Sequence, residues 1–165
     1  MFLNGSIVSN IICMKVAVLD NTRRMDKKSI TVFRKIASET LRLLDIPSTS
    51  ELCLTFVLDA EMRDLNKSYR NIDRTTDVLS FPQLDIDEGS AIKDEKDLVL
   101  LGDVVISTET ALRHSEKYGV TLHQEIKKLI VHGILHLLGH NHKRKEETEL
   151  MRRKERELLI AMRDL

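Results

Sequence analysis

The chain has no surplus of charge. Its 26 basic and 26 acidic side chains cancel over 165 residues. A uniformly cationic nucleic-acid binder is excluded, so any contact with a polyanion must rest on a local basic patch. Cysteine is scarce. Cys13 and Cys53 are the two in the chain, and they lack the spacing of a cysteine metal motif. So few thiols in a chain of this size indicate a reducing cytoplasm, and Cys53, set among apolar neighbours, is expected to be a buried thiol. No apolar run approaches the length that spans a bilayer. The opening residues, MFLNGSIVSNIIC, lack a basic start and a long apolar core, so a signal peptide is not expected. Residues 1–13 are read as an N-terminal extension, expected to be disordered, with Met14 as the alternative start. Internal repeats and linkers are also missing. Tryptophan is absent, yet 42% of the residues are hydrophobic, enough for one domain with a real core.

What is present alternates between strand and helix signals. Strands are expected at 15–20, 51–58, 78–81 (stopped by Pro82) and 98–106, the last interrupted by Gly102-Asp103, which marks a bulge or a close approach of another segment. Helices are expected over 26–44, over 60–70 with Asp59 as N-cap, and over 108–118 between Ser107 and Gly119. A further helix begins at the Thr121/Gln124 capping box. The last runs from Lys143 onward, with an apolar stripe at Leu150, Leu158, Leu159 and Met162. Residues 83–97 read as an acidic loop. The fold class is α+β: a single domain in which a mixed sheet of about four strands packs against helices.

The most informative stretch is LIVHGILHLLGHNH, residues 129–142. It contains four of the six histidines. His132 and His136 are one helical turn apart, about 6 Å along the axis, so two imidazoles on one face can share an ion. Gly139 reads as the helix end, where positive φ turns the chain. On an unbroken helix His140 would lie about 12 Å along the axis from His132, too far for bonds of about 2 Å to one ion. After a turn, His140 and His142 are both possible, and the frame H-x-x-x-H-x-x-G-x-x-H favours His142. Three neutral nitrogens leave an open coordination position, the catalytic rather than the structural pattern of Zn²⁺. In zinc peptidases the residue after the first His is the Glu base. Gly133 stands there, which makes a zinc peptidase a distant third reading.

A second constellation lies in LNKSYRNIDRTTDVLSFP, residues 65–82, where Arg70, Asp73, Arg74 and Asp77 sit close to Tyr69 and Phe81. A guanidinium near a metal suits phosphate, offering a planar fork to anionic oxygens. The alternative is a solvated, salt-bridged loop.

Taken in order, LNKSYRNIDRTTDVLSFP, LGDVVIS and VHGILHLLGHNH resemble the YbeY family of bacterial metal-dependent endoribonucleases that mature ribosomal RNA. The resemblance runs from about Met14 to the C-terminus, so 14–165 would be one endoribonuclease domain. It implies His132, His136 and His142 as ligands of one Zn²⁺ per chain and Arg70 as the functional arginine. The family often has Asp before the last His, where this chain has Asn141, a change that bears on hydrogen bonding around the ligand. The resemblance also implies cleavage of single-stranded RNA, 16S 3′-end processing and ribosome quality control. The implied partners are ribosomal RNA and the small subunit with its proteins, in the cytoplasm and without a membrane. Asp77, Asp103, His140 and the metal-activated water remain alternative bases, and Lys143, Arg144 and Lys145 are candidate RNA contacts. The runner-up is a ribosome-assembly factor whose metal is mainly structural.

Overall fold

A computed structural model describes residues 15–83, 99–140 and 144–165; the extension 1–13 lies outside the described residues. In chain order the elements are β1 (Lys15–Asp20), α1 (Lys27–Leu43), β2 (Ser50–Val57), α2 (Asp59–Arg70), β3 (Val78–Pro82), β4 (Val99–Ser107), α3 (Thr108–Tyr118), α4 (Leu122–Leu137) and α5 (Lys145–Ala161). The strands form one mixed sheet in the order β1-β2-β4-β3. β1, β2 and β4 run parallel, and β3 joins β4 antiparallel at the edge. The fold is thus α+β with a four-stranded mixed sheet, as the alternation of signals predicts.

Sequence-local chemistry places the element ends. Asp26 caps α1 by accepting from the Ser29 amide at 2.6 Å. Ser107 accepts from the Thr110 amide at the start of α3, and Gly119 ends that helix at φ 66°. The capping box at Thr121 and Gln124 is complete. Pro82 closes β3, whose edge position tolerates a residue without an amide donor. The bulge expected near Gly102 lies opposite the Glu51/Leu52 step of β2. At Gly102 φ is 127°, and a Cβ there would sit 2.1 Å from the Phe81 carbonyl oxygen, so both the backbone angle and the approach of β3 require glycine.

Side chains alternate across the sheet. One face sends Leu52, Leu54, Phe56, Val104 and Ile106 into the main core with α1, α4 and α5. The opposite face sends Val57, Leu79 and Val105 against Met62 of α2. α4 is the hub of the main core. Ile126, Ile130, Ile134 and Leu135 are all buried to 1% exposure or less, each contributing about 1.5–3 kcal/mol by leaving water. Three sequence expectations change. Leu58, not Asp59, is the N-cap of α2, without a side-chain cap bond, because the Asp59 carboxylate turns away to α3. On α5, Met151 is fully buried while Leu150 is 39% exposed, so the stripe is Met151, Leu158 and Met162, with Leu159 packed at its margin. Cys53 is only half-buried, on the face of β2 away from the main core.

Candidate metal centre

The last turns of α4 carry His132 and His136. Their Nε2 atoms lie 3.1 Å apart, with ring centroids 4.7 Å apart and planes inclined at 72°. Both rings therefore turn the same nitrogen to a common point. Two Zn–N bonds of about 2.05 Å at a tetrahedral angle set their nitrogens about 3.3 Å apart, so this pair fits two ligands of one ion. Just beyond, the helix ends as the sequence requires. Gly139 has φ 85°; its amide donates to the His136 carbonyl and the His140 amide to that of Leu135, each at 3.1 Å, the paired closure of a left-handed helix end. His142 follows two residues on and lies outside the described residues, as does Lys143. Among the described residues no three His, Cys, Asp or Glu side chains converge as a metal set.

Gly133 faces the sheet. A Cβ there would lie 2.5 Å from Val104 Cγ1 and 3.3 Å from Ser80 Oγ, and the Ser80 hydroxyl donates to the Gly133 carbonyl at 3.0 Å. A side chain at this position would enter the core beneath the helix. The missing peptidase base is thus a packing requirement as well as a change of chemistry.

The other candidates lie on α2, α5, the sheet and the loops between them. Arg70 is the last residue of α2 and is exposed, followed by Asn71 in the left-handed conformation. Its neighbour Tyr69 packs edge-on against Phe81 of β3 at 4.9 Å. Since Ser80 meets α4 and Phe81 meets Tyr69, Arg70 flanks the same edge strand as the histidines from its other side. Asp73 is taken by Arg63 at 2.6 Å and Lys67 at 3.0 Å, and those partners hold its carboxyl down at about 2. That part of the loop follows the salt-bridged reading.

Asp77 accepts from the Val78 amide at 2.9 Å and the Thr76 hydroxyl at 3.2 Å. Its second oxygen is 3.7 Å from His114 Nδ1, which is equally far from Glu125 of α4. Its visible work is to start β3. Asp103 occupies the sheet face opposite Val104, and therefore opposite the histidine helix; it accepts from the Gln83 side chain at 3.2 Å. His140 turns Nε2 to Lys154 Nζ at 3.3 Å, and burial together with that charge lowers its proton affinity. Lys154 of α5 thus has a specific neighbour on the histidine turn. Arg144 is exposed and engages Glu147 at the start of α5, as amide donor at 3.1 Å and guanidinium at 3.7 Å. Lys145 is exposed on the first turn of the same helix.

Sequence reasoning missed two acidic groups. Asp59 binds the α2, α3 and 71–77 segments together. Its Oδ1 accepts from Ser107 at 2.6 Å, Thr110 at 2.7 Å and Thr75 at 3.1 Å, and its Oδ2 pairs with Arg113 at 2.7 Å. Burial alone would raise its proton affinity, but Arg113 and the three hydroxyls outweigh that and hold the carboxyl well below the usual carboxylate range. The second is Glu155, whose Oε1 lies 3.4 Å from His132 Nδ1. Its one sequence signal is its place in line with Leu158 and Met162 on the apolar stripe of α5, but only tertiary packing decides what it turns toward.

Together these features define an α+β protein whose central helix presents paired imidazoles at a glycine-closed end. Known proteins make the class specific: the chain belongs to the YbeY family, whose model, described as endoribonuclease YbeY, matches residues 15–163. That family is one of RNA-cleaving hydrolases. A Pelotomaculum thermopropionicum protein named endoribonuclease YbeY is 40% identical over 144 residues, covering 87% of this chain and 93% of its own. One of that name from Clostridium botulinum is 39% identical over 140 residues, covering 78% and 84%. A solution structure of a Thermotoga maritima protein shares the fold with a TM-score of 0.57 at 21% identity, over 90% of this chain and 92% of that one. Among the described residues no helix is long and apolar enough to cross a membrane.

Proposed function

We propose that this chain is a zinc-dependent endoribonuclease for single-stranded RNA. In this reading it acts in the cytoplasm on ribosomal RNA, in 16S 3′-end processing and ribosome quality control, with the small subunit as partner. The observation that carries the metal reading is the pair of facing Nε2 atoms at 3.1 Å, one turn before a left-handed glycine. His132, His136 and His142 would hold the ion. Zinc in such a site supplies Lewis acidity and activates water near neutral pH.

The chain's own groups define the rest. The Arg70 guanidinium is exposed beside the edge strand β3 and is assigned to neutralising the charge that builds on the phosphate. Beneath α4 the Gly133 backbone is seated against Val104 of β4 and Ser80 of β3, so in this reading substrate approaches from the solvent side of α4. Asp103, on the sheet face opposite Val104, and Asp77, turned toward His114, stay candidate bases beside His140 and the metal-activated water.

The test is a single-stranded RNA containing a small-subunit 3′-end precursor. His136→Ala should lose zinc by elemental analysis and cleavage together; retention of full zinc content would refute the ligand assignment. Arg70→Glu should keep zinc and lose cleavage, and undiminished cleavage would remove Arg70 from the reaction. A 2′,3′-cyclic phosphate product would identify the ribose hydroxyl as the nucleophile; a 5′-phosphate product would identify water.

A further inference from the structure

One largely enclosed acid on α5 remains without a role. On α5 the buried residues Met151, Leu158 and Met162 recur at helical spacing, and Glu155 falls on the same stripe, at a position where packing alone calls for an apolar side chain. Its side chain is 16% exposed, and its Oε1 is buried without a formed hydrogen bond. Such an oxygen is costly unless another group matches it. The nearest ionisable neighbour is His132 Nδ1, at 3.4 Å.

The two nitrogens of His132 thus face different groups: Nε2 meets His136 Nε2 at 3.1 Å, and Nδ1 meets Glu155. A neutral imidazole carries its proton on one nitrogen and its lone pair on the other. An acceptor-only carboxylate beside Nδ1 favours the proton there. We infer that Glu155 is the positioning carboxylate of His132: it accepts Nδ1–H, fixes the ring's tautomer and rotation, and keeps the Nε2 lone pair aimed at the point shared with His136. Metal-binding histidines are generally oriented in this way by an acceptor on the far nitrogen. The inference rests on the zinc reading above. It adds that α5, beyond packing the core, tunes the site's affinity through one side chain. Glu155 acts through His132 in this inference, so it is a positioning residue.

Three full-length proteins test this: wild type, Glu155→Gln and Glu155→Leu. Zinc affinity is read by competition with a chromophoric chelator. Melting is read on the metal-free forms, and the His132 tautomer from imidazole ¹⁵N shifts in the metal-free state. Glu155→Leu should bind zinc about 10–100-fold more weakly. It should nevertheless melt no lower than wild type when metal-free, because leucine suits the stripe. Glu155→Gln keeps an acceptor oxygen and should recover most of the affinity. The wild type should hold the Nδ1–H tautomer and Glu155→Leu should not. Unchanged zinc affinity in Glu155→Leu, or equal losses in both variants, would overturn the inference. If the wild type itself takes up no zinc while the tautomer still depends on Glu155, the zinc reading fails and the positioning role stands.

Discussion

Gly133→Ala separates the packing role of that glycine from its chemistry. The residue lies in the last third of α4, where alanine improves helix propensity by about 1 kcal/mol over glycine. On a free face the substitution would stabilise the protein. Here the new methyl would sit 2.5 Å from Val104 Cγ1 and 3.2 Å from Cγ2, well inside a normal carbon contact of about 3.5–4.0 Å. Val104 is fully buried and, being β-branched, has little rotamer freedom with which to retreat. Overpacking of this kind costs about 1–3 kcal/mol. The net expectation is a loss of about 1 kcal/mol, seen as roughly 2–4 °C in melting temperature at this size.

A double-mutant cycle sharpens the test. Val104→Ala alone should lose about 2 kcal/mol through the buried methyl groups and the space they leave. Added to that background, Gly133→Ala places its methyl in the vacated space and should become stabilising, with a coupling of about 1–2 kcal/mol. Urea unfolding of the four proteins reads this directly. If Gly133→Ala stabilises the otherwise unchanged protein by about 1 kcal/mol, and adds to Val104→Ala without coupling, then α4 is not seated on β4 as described. Gly133→Glu, which completes the peptidase sequence pattern, is expected to unfold the domain and confer no proteolysis on casein.

Other expectations follow from the same contacts. Asp59→Asn removes the charge from the Arg113 pair and disturbs three hydroxyl bonds, and should cost about 2–3 kcal/mol near pH 7. Because the folded carboxyl titrates below its unfolded value, its contribution is complete above the ordinary carboxylate range and is lost as pH falls. The gap between wild type and Asp59→Asn should therefore narrow from about pH 5 downward in urea titrations; a gap that widens in acid would refute the assignment. Gly139→Ala strains a φ of 85° and should cost about 1 kcal/mol while weakening zinc uptake, measured by chelator competition; unchanged uptake would show that the turn does not position the site. On α5, Met151→Ala should cost about 2–5 kcal/mol and Leu150→Ala, at a 39% exposed position, much less; equal costs by thermal melting would reverse the assigned face.

Local signals were legible wherever the backbone itself answers them. Ser107, Gly119, the Thr121/Gln124 box and Gly139 each do what their side chain, or its absence, dictates within a few residues. Gly102 gave the bulge for the same reason. Sidedness was less legible. Asp103 and Val104 are adjacent in sequence, yet one faces Gln83 and the other presses on Gly133, and only the paired sheet decides which. Leu150 and Met151 exchange roles by the same logic, one residue and about 100° of helix rotation apart. Asp59 carried a good N-cap sequence, but partners from α3 and the 71–77 loop outcompeted its own helix. Glu155 was hidden because its meaning lies wholly in what α4 places opposite it.

The edge strand touches both distant motifs, one on either face. β3 is five residues long and lies at the sheet's margin. Its period of two sends Ser80 toward the histidine helix and Phe81 toward Tyr69. A single-residue slip would exchange those partners, putting a phenyl ring under α4, where Gly133 leaves no room, and a hydroxyl against Tyr69. The antiparallel register of β3 on β4, pinned at Gly102 by the Phe81 carbonyl, therefore sets on which side of the edge each motif lies. A fold that brought the arginine helix and the imidazole helix together by packing them face to face would need a shared core between them. Here a short strand contacts α4 through Ser80 on one face and Tyr69 of α2 through Phe81 on the other, and Arg70 is exposed at the end of α2.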